Sequence, residues 1–284
     1  MPDVAIAGAR VSYDAGGREN GPPLLLSHAL GTTRHLWDSL QPALSRHFRV
    51  VRYDTRGHGD SGSPAGEYSI EDLGLDALRV LDAAGVERAH VAGVSLGGLV
   101  AMWLATHAPS RVGRIVLANT AARISTREYW QDRTRLVRAD GFSPIASTAP
   151  PRWFTESFCR SHPEIVTAFQ DMLHGCSRDG YIGCCAALRD ADLRADLTRI
   201  SADTLVITGT FDPVCPPADA RFLRDQIPRA KYLELDAAHF ANVEKAAEFG
   251  EGIVTFLEGS SGSPGSAGST GSTGSSGSAG THQS

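Results

Sequence analysis

The sequence predicts an α/β fold, a mostly parallel, doubly wound sheet with an inserted helical cap. Short and nearly continuous apolar runs, typical of strands covered on both faces, occur at residues 24–26, 50–53, 90–93, 115–118 and 204–207. Helical patterns separate these runs, and this alternation favours a parallel sheet. Between about residues 121 and 197 only helical periodicity remains, and this segment is the predicted cap.

The other elements follow from local patterns. Residues 231–235 alternate between apolar and polar side chains, which predicts an edge strand. The clearest helix begins at Ser69, which can form a capping box with Asp72 ahead of a series of leucines. Further helices are predicted after Ser95, Pro216 and Asn242.

The carboxyl-terminal segment differs in composition from the rest of the chain. Residues 259–284 are mostly Gly, Ser, Thr and Ala, without one large apolar side chain. Such a segment cannot bury enough surface to offset its ordering entropy, which predicts a flexible tail or linker. Residues 1–258 are then expected to form one α/β domain, long enough to bury a core without a metal or disulfide.

Charge and cysteine content exclude several functions. The net charge is −5 and no basic stripe is present, so a nucleic-acid partner is not expected. The five cysteines form no Cys-x-x-Cys pair, which favours free thiols in a reducing cytoplasm over disulfides or a metal site. No leader pattern or apolar run of about 18 residues is present, so we expect a cytoplasmic protein without a membrane partner.

Residues 93–97 read Gly-Val-Ser-Leu-Gly and lie between a predicted strand and a predicted helix. This is the G-x-S-x-G pattern of a nucleophile elbow in the context that it requires. Side chains at Gly93 and Gly97 would collide with neighbouring backbone in so tight a turn. Ser95 is the predicted nucleophile, held in a strained backbone conformation that lifts its hydroxyl clear of the sheet. The helix N-terminus would favour a developing oxyanion.

A serine hydroxyl needs a base, and in this arrangement the partners follow in the order serine, acid, histidine. Of the ten histidines, His239 lies in the loop after the last predicted strand, at the sheet edge where ligands bind. His162 and His174 fall in the predicted cap, and His282 falls in the tail. His239 is therefore the predicted base.

The predicted acid is Asp212, in the loop after the strand at residues 204–207. Its carboxylate would orient the imidazole and stabilise its charged form. Asp219 lies too far into the next helix, and Asp236 ends a strand and is expected to point elsewhere. Asp before Pro is also common in turns, which is the structural alternative for Asp212.

The loop after the first predicted strand is expected to supply part of an oxyanion hole. The predicted donors are the backbone N–H groups of Leu30 and of Leu96, the residue after the nucleophile. His28 in the same loop is interpreted as structural. The polar, glycine-spaced loop after the second strand is also interpreted as structural, with Asp54 and Arg56 held in hydrogen bonds.

These motifs together resemble the α/β-hydrolase superfamily over nearly all of residues 20–258. The resemblance rests on residues 27–31, 54–61, 93–98, 211–217 and 238–240. The cap resembles that of 3-oxoadipate enol-lactonase at residues 119–124, Trp130, Arg133, residues 152–154 and residues 181–193. One departure is His28-Ala29, where many relatives have Asn-Ser or His-Gly, which leaves backbone donation possible.

The resemblance implies hydrolysis of the enol-lactone of the β-ketoadipate pathway of aromatic catabolism, without a cofactor. The family's triad maps to Ser95, Asp212 and His239. The substrate of that family carries a carboxylate, which implies a cation near the pocket, and bidentate geometry favours arginine. Arg133 and, as second candidate, Arg34 are the predicted carboxylate-binding residues. The candidate pocket walls are Trp130 and Trp153, for which packing within the cap is the alternative.

Other interpretations remain open at this point. A general carboxylesterase or a cofactor-free perhydrolase of the haloperoxidase type would use the same triad. A non-catalytic, ligand-binding relative can also retain it. In some relatives the lactonase is fused to a carboxymuconolactone decarboxylase, so residues 259–284 are interpreted either as a linker to such a partner or as an artificial extension.

Overall fold

The computed structural model describes residues 2–6 and 9–259. Within them, the strands are β1 Asp3–Ile6, β2 Ala9–Gly17, β3 Pro23–Ser27, β4 Arg49–Tyr53, β5 Ala89–Val94, β6 Val112–Ala118, β7 Thr204–Gly209 and β8 Ala230–Leu235. They form a sheet in the order β1-β2-β4-β3-β5-β6-β7-β8. The β1–β2 and β2–β4 pairs are antiparallel, and all pairs from β4 to β8 are parallel.

The helices connect these strands across both faces of the sheet. They are α1 Gln41–Leu44, α2 Ile70–Ala83, α3 Leu96–His107, α4 Arg127–Asp140, α5 Ser143–Thr148, α6 Pro150–Trp153, α7 Glu156–Ser161, α8 Pro163–His174, α9 Arg178–Asp190, α10 Pro217–Gln226, α11 Ala241–Glu244 and α12 Ala246–Glu258. Helices α4 to α9 all lie between β6 and β7, in the interval where the sequence predicts a cap.

Two apolar cores lie on opposite faces of the sheet. Leu25, Val51 and Val91 belong to one core, whereas Leu24 and Val50 belong to the other. Alternate side chains of a strand point to opposite faces, and both faces are covered here. This explains the nearly continuous apolar runs and confirms the predicted α/β class.

Every strand that the sequence predicts is present, and β8 is the half-exposed edge strand. The capping box at the start of α2 is also present, with Ser69 and Asp72 bonded to each other's backbone. The helix expected after Asn242 is present as α12, and the short α11 precedes it. Strands β1 and β2 were not predicted. The second half of β2 is largely exposed and includes two glycines, and β1 is the terminal strand that pairs only with β2.

Of the predicted tail at residues 259–284, only Gly259 lies within the described residues, so that prediction is untested. In the described ranges no helix has the length and apolar character needed to cross a bilayer.

Candidate active site

Ser95 lies at the turn where β5 ends and α3 begins. Its backbone has φ 56° and ψ −114°, a combination that side chains other than glycine rarely adopt. A Cβ atom at Gly93 would lie 2.0 Å from the carbonyl oxygen of Gly97. A Cβ atom at Gly97 would lie 2.2 Å from the carbonyl oxygen of Ser27. Only glycine therefore fits on either side of the serine, as the elbow motif predicts.

His239 and Asp212 form a buried pair at the same edge of the sheet. His239 Nδ1 lies 2.9 Å from Asp212 Oδ2, and both side chains are at most 5 % exposed. Because a carboxylate only accepts, Nδ1 carries the proton and Nε2 remains free to act as a base. Ser95 and His239 line one cavity. The structure thus brings the three predicted catalytic residues together.

The environment of Asp212 keeps its carboxyl ionised. Its Oδ1 accepts the N–H groups of Val214 at 2.8 Å and Cys215 at 3.0 Å. Burial raises the pKa of the Asp212 carboxyl, but His239 and these hydrogen bonds outweigh burial, so the pKa lies below its ordinary value. An ionised acid can stabilise the imidazolium that forms during catalysis. Of the alternatives considered, Asp219 lies within α10 and Asp236 is exposed.

Asn119 makes a contact that the sequence analysis missed. Its Nδ2 donates to Asp212 Oδ2 at 3.0 Å and to the carbonyl oxygen of Ala238 at 3.2 Å. It therefore links the acid to the residue that precedes the base. Asn119 directly follows β6 and has φ 46°, a conformation that asparagine tolerates. Its place at the carboxyl end of a parallel strand is the signal that could have identified it.

Leu30, one of the two predicted oxyanion donors, lies in the loop after β3, and Leu96 begins α3. Leu96 is the first residue of α3, where an N–H has no partner within the helix. Leu30 lines the cavity with Ser95, and its N–H has no acceptor in the described ranges. Their role as donors remains a prediction.

Two buried histidines hold the loop that follows β3 and carries Leu30, called the oxyanion loop below after its predicted role. His58 Nε2 accepts the N–H of Gly31 at 3.0 Å, and His28 Nε2 accepts the N–H of Thr55 at 2.8 Å. Burial lowers the pKa of His28 to about 4 and that of His58 to about 3, so both rings are neutral acceptors at neutral pH. These contacts agree with a structural role for His28.

A cavity opens beside Ser95, between the sheet edge and the cap. It has about 610 Å³ of space not filled by protein atoms, part of it open to solvent. The guanidinium groups of Arg133 and Arg152 lie 5.3 Å and 5.6 Å from the centre of the Tyr129 ring. In the part of the chain that the structure describes, no carboxylate pairs with either arginine. Two positive charges in a largely apolar cavity suit an anionic ligand.

Residues 22–246 match the alpha/beta hydrolase fold family. The chain belongs to this family. It is 41 % identical to 3-oxoadipate enol-lactonase 2 of Acinetobacter baylyi, over 88 % of this chain and 92 % of the relative.

Two solved structures resemble this hydrolase over most of their length. The enol-lactonase from Burkholderia xenovorans LB400 has a TM-score of 0.88 and 40 % identity, over 90 % of this chain and 99 % of that one. A thermophilic esterase from Thermogutta terrifontis, solved with malate bound, has a TM-score of 0.85 and 27 % identity, over 90 % and 98 % of the two chains.

The structure corrects the second candidate for carboxylate binding in this hydrolase. The Arg34 guanidinium is buried, pairs with Asp54 and Asp60, and does not line the cavity. It serves instead to neutralise the buried Asp54 carboxylate. Arg152, which sequence reasoning did not select, is the second arginine of the cavity. Its position next to Trp153, a predicted pocket residue, was the available signal.

Trp130 and Trp153 have both of the roles that the sequence left open. Both line the cavity of the hydrolase. Trp130 Nε1 also donates to the carbonyl oxygen of Ile124 at 2.6 Å, and the Trp153 ring packs 5.8 Å from that of Phe240. Each side chain therefore contributes to cap packing and to the cavity wall.

The sequence also predicts a structural role for the loop after β4, which contains Asp54 and Arg56. Asp54 accepts from Arg34, and Arg56 Nε lies 2.5 Å from Asp76 Oδ2 in a buried pair. The hydrogen bonds expected for Asp54 and Arg56 are thus present. Over residues 2–6 and 9–259 of the hydrolase, no group of three or more His, Cys, Asp or Glu side chains is arranged to hold a metal ion.

Proposed function

We propose that this hydrolase opens 3-oxoadipate enol-lactone to 3-oxoadipate, in the β-ketoadipate pathway of aromatic catabolism. The observation that carries the proposal is a Ser-His-Asp constellation beside a cavity with two arginines that pair with no carboxylate of the described residues. The enol-lactonase relatives, at about 40 % identity over nearly the full chain, support the same substrate. Its five free cysteines are consistent with a cytoplasmic enzyme.

The reaction proceeds through an acyl-enzyme. Ser95 Oγ attacks the lactone carbonyl carbon while His239 Nε2 takes the hydroxyl proton. The N–H groups of Leu30 and Leu96 stabilise the oxyanion of the tetrahedral intermediate. The ring C–O bond then breaks and expels an enolate, which leaves more readily than an alkoxide. Protonated by His239, the enol converts to the ketone.

Deacylation repeats these steps with water. His239 takes a proton from a water molecule, whose oxygen attacks the acyl carbon. The bond to Ser95 Oγ breaks, His239 returns the proton to the serine, and 3-oxoadipate leaves with a second carboxylate. Asp212 stays ionised throughout and balances the charge of the imidazolium.

The arginines bind the carboxylate that the lactone carries before it reacts. Arg133 belongs to α4 and Arg152 to α6, so each of two cap helices supplies a guanidinium group to a carboxylate bound in the cavity. Malate, bound in the esterase relative, is a small dicarboxylate like the proposed product. Binding of a dicarboxylate by this relative is consistent with the proposed product.

The proposal is tested by comparing kcat/KM for the enol-lactone and for a short-chain nitrophenyl ester. We expect a clear preference for the charged lactone. A preference for the neutral ester would contradict the lactonase proposal and favour the carboxylesterase that the esterase relative suggests. Labelling of Ser95 by a fluorophosphonate, lost in Ser95→Ala, separates an enzyme from a non-catalytic relative.

Substitution of either cavity arginine should affect the charged substrate selectively. We expect Arg133→Ala and Arg152→Ala each to raise KM for the lactone about 10-fold or more, since a hydrogen bond to a charged group is worth about 1.5–3 kcal/mol. KM for the nitrophenyl ester should change little. Arg135→Ala is the matched control, because Arg135 is exposed on the same helix and pairs with Asp132. Equal losses on both substrates would exclude a carboxylate-specific role.

A further inference from the structure

The loop that carries His239 is held on both sides of the imidazole. The N–H of Ala238 donates to Glu244 Oε2 at 3.1 Å, and the N–H of Phe240 donates to the carbonyl oxygen of Trp153 at 2.9 Å. Glu244 follows the base in α11, whereas Trp153 belongs to α6 of the cap. Both residues adjacent to the base are therefore fixed through their backbone.

The Glu244 carboxylate also reaches the cap. Its Oε2 accepts the N–H of Thr155 at 3.2 Å, and its Oε1 accepts the Thr155 hydroxyl. Thr155 is the N-cap of α7, where its hydroxyl oxygen accepts the N–H of Phe158 at 3.3 Å. One carboxylate thus makes three hydrogen bonds that join the His239 loop to the start of a cap helix.

The cap side of this connection forms part of the substrate cavity. Trp153 lines the cavity, and its ring packs against that of Phe240. The cavity wall and the loop of the base are therefore bound to each other twice, through Glu244 and through the Trp153 carbonyl. A displacement of one must displace the other, because interiors are close-packed and transmit strain.

We propose that Glu244 is a positioning residue that clamps the His239 loop to the cap and so sets the reach of the imidazole toward Ser95. Proton transfer requires that donor and acceptor lie about 2.6–3.2 Å apart, and a displacement of about 1 Å can reduce the rate about 100-fold. Asn119 still holds the Ala238 carbonyl when Glu244 is removed. The loop is then loosened rather than released, and the expected loss is about 10-fold.

The inference rests on the proposed serine mechanism but not on the identity of the substrate. The test compares Glu244→Ala, Glu244→Gln and Glu244→Asp, with Glu248→Gln on the exposed face of α12 as control. We expect Glu244→Ala to lower kcat about 10-fold on the lactone and on the nitrophenyl ester, with KM within about 2-fold. The control should match the unsubstituted protein.

The two conservative variants separate hydrogen bonding from charge. Gln keeps an oxygen that accepts from Ala238 and Thr155, so Glu244→Gln should retain most of kcat. Asp is one methylene shorter, so Glu244→Asp should lose nearly as much as Glu244→Ala despite its charge. The opposite order, with Asp active and Gln inactive, would overturn the clamp in favour of a purely electrostatic role.

Fluorophosphonate labelling of Ser95 provides the readout that a merely structural role would not change. The labelling rate should fall in parallel with kcat in Glu244→Ala, while circular dichroism shows a folded protein at the assay temperature. Unchanged kcat and labelling, or a raised KM with unchanged kcat, would overturn the proposal. If Glu244→Ala does not fold, the Gln and Asp variants decide. Absence of labelling in the unsubstituted protein would instead reject the serine mechanism.

Discussion

Two residues with positive φ lie at neighbouring strand ends, at the edge of the sheet where the predicted catalytic residues meet; this edge is called the catalytic edge below. Val94 of β5 pairs with Ala118 of β6, and the next residues, Ser95 and Asn119, have φ of 56° and 46°. The N–H of Ser95 donates to the Ala118 carbonyl at 3.0 Å, which keeps the two turns in register. The segments after β5 and β6 therefore leave the sheet at the same level. The first carries the Ser95 hydroxyl, and the second carries the Asn119 amide that donates to Asp212.

Asn119 allows the side-chain contact to be separated from the backbone strain. Asn119→Gly removes the donor to Asp212 and Ala238 but suits a positive φ, whereas Asn119→Ala removes the donor and strains the backbone. We expect both variants to lower kcat about 10-fold, by loosening the acid and the loop of the base. The Ala variant should also be less stable than the Gly variant by about 1 kcal/mol, measured by urea denaturation. Unchanged kcat in both would show that Asn119 does not position the acid.

The sequence predicted that Ser95, Asp212 and His239 would meet, because each stands in a loop after a strand, in a fixed chain order. Asn119, Arg152 and Glu244 were not identified, because their roles depend on contacts between distant segments. Asn119 and Asp212 are 93 residues apart, and Glu244 and Thr155 are 89 apart. Arg34 was wrongly selected as a carboxylate-binding residue. Its ion pairs with Asp54 and Asp60 form only when the chain folds, so the sequence did not show that the guanidinium is already paired.

The β5–α3 elbow also determines the position of the oxyanion loop. A Cβ atom at Gly97 would lie 2.2 Å from the carbonyl oxygen of Ser27, the last residue of β3, and 2.9 Å from that of His28, the next residue. Helix α3 is buried along its first ten residues, so close packing prevents the helix from shifting to relieve such a contact. Any side chain at this position must displace the loop that carries Leu30.

We therefore expect Gly97→Ala to lower kcat by more than 10-fold and stability by about 1–3 kcal/mol, through displaced backbone. Gly16→Ala in β2 is the matched control, because a Cβ atom there meets nothing within 4 Å. It should change stability by no more than about 0.5 kcal/mol and leave kcat unchanged. An active, stable Gly97→Ala variant would contradict the packing argument.

The elements that the sequence predicted correctly are those whose burial leaves a clear pattern. Strands β3 to β7 are covered on both faces and read as apolar runs, and Ser69 marks the start of α2 chemically. Strand β2 pairs with β4 by backbone hydrogen bonds along a segment that includes Asp14, Gly16 and Gly17. Such pairing needs no apolar side chain, so it left little signal in the sequence.

Three histidines that are buried or half-buried have a lowered pKa and are neutral at neutral pH. Burial lowers the pKa of His90 to about 4, as it lowers those of His28 and His58. His90 accepts the N–H of Arg114 at 2.9 Å, far from the catalytic edge. Histidines with a lowered pKa therefore occur in more than one part of the protein. The neutral rings accept hydrogen bonds from backbone N–H groups in the interior and near the surface.

This burial predicts a pH dependence of stability. In the unfolded chain histidine titrates near about 6.5, so between pH 6.5 and about 4 the unfolded state binds more protons than the folded state. The free energy of unfolding should therefore decrease as pH falls through this window, by about 1.4 kcal/mol per pH unit for each proton. Burial raises the pKa of the Asp76 and Asp219 carboxyl groups, so the folded state takes up these protons before the unfolded state does. Their protonation therefore increases the free energy of unfolding as pH falls and offsets part of the decrease caused by the histidines.

Urea denaturation at several pH values between 7 and 4.5 measures this slope, and His58→Gln tests its origin. Glutamine keeps an oxygen that can accept the N–H of Gly31 but does not titrate, so the slope should be reduced by close to one proton. The lowered pKa of Asp212 changes the free energy of unfolding only below about pH 4, where the carboxyl group titrates in the unfolded chain. It therefore does not affect the slope measured between pH 7 and 4.5. A free energy of unfolding that is constant from pH 6.5 to 4.5, or a slope unchanged in the variant, would show that protonation of these rings does not limit the stability of the fold.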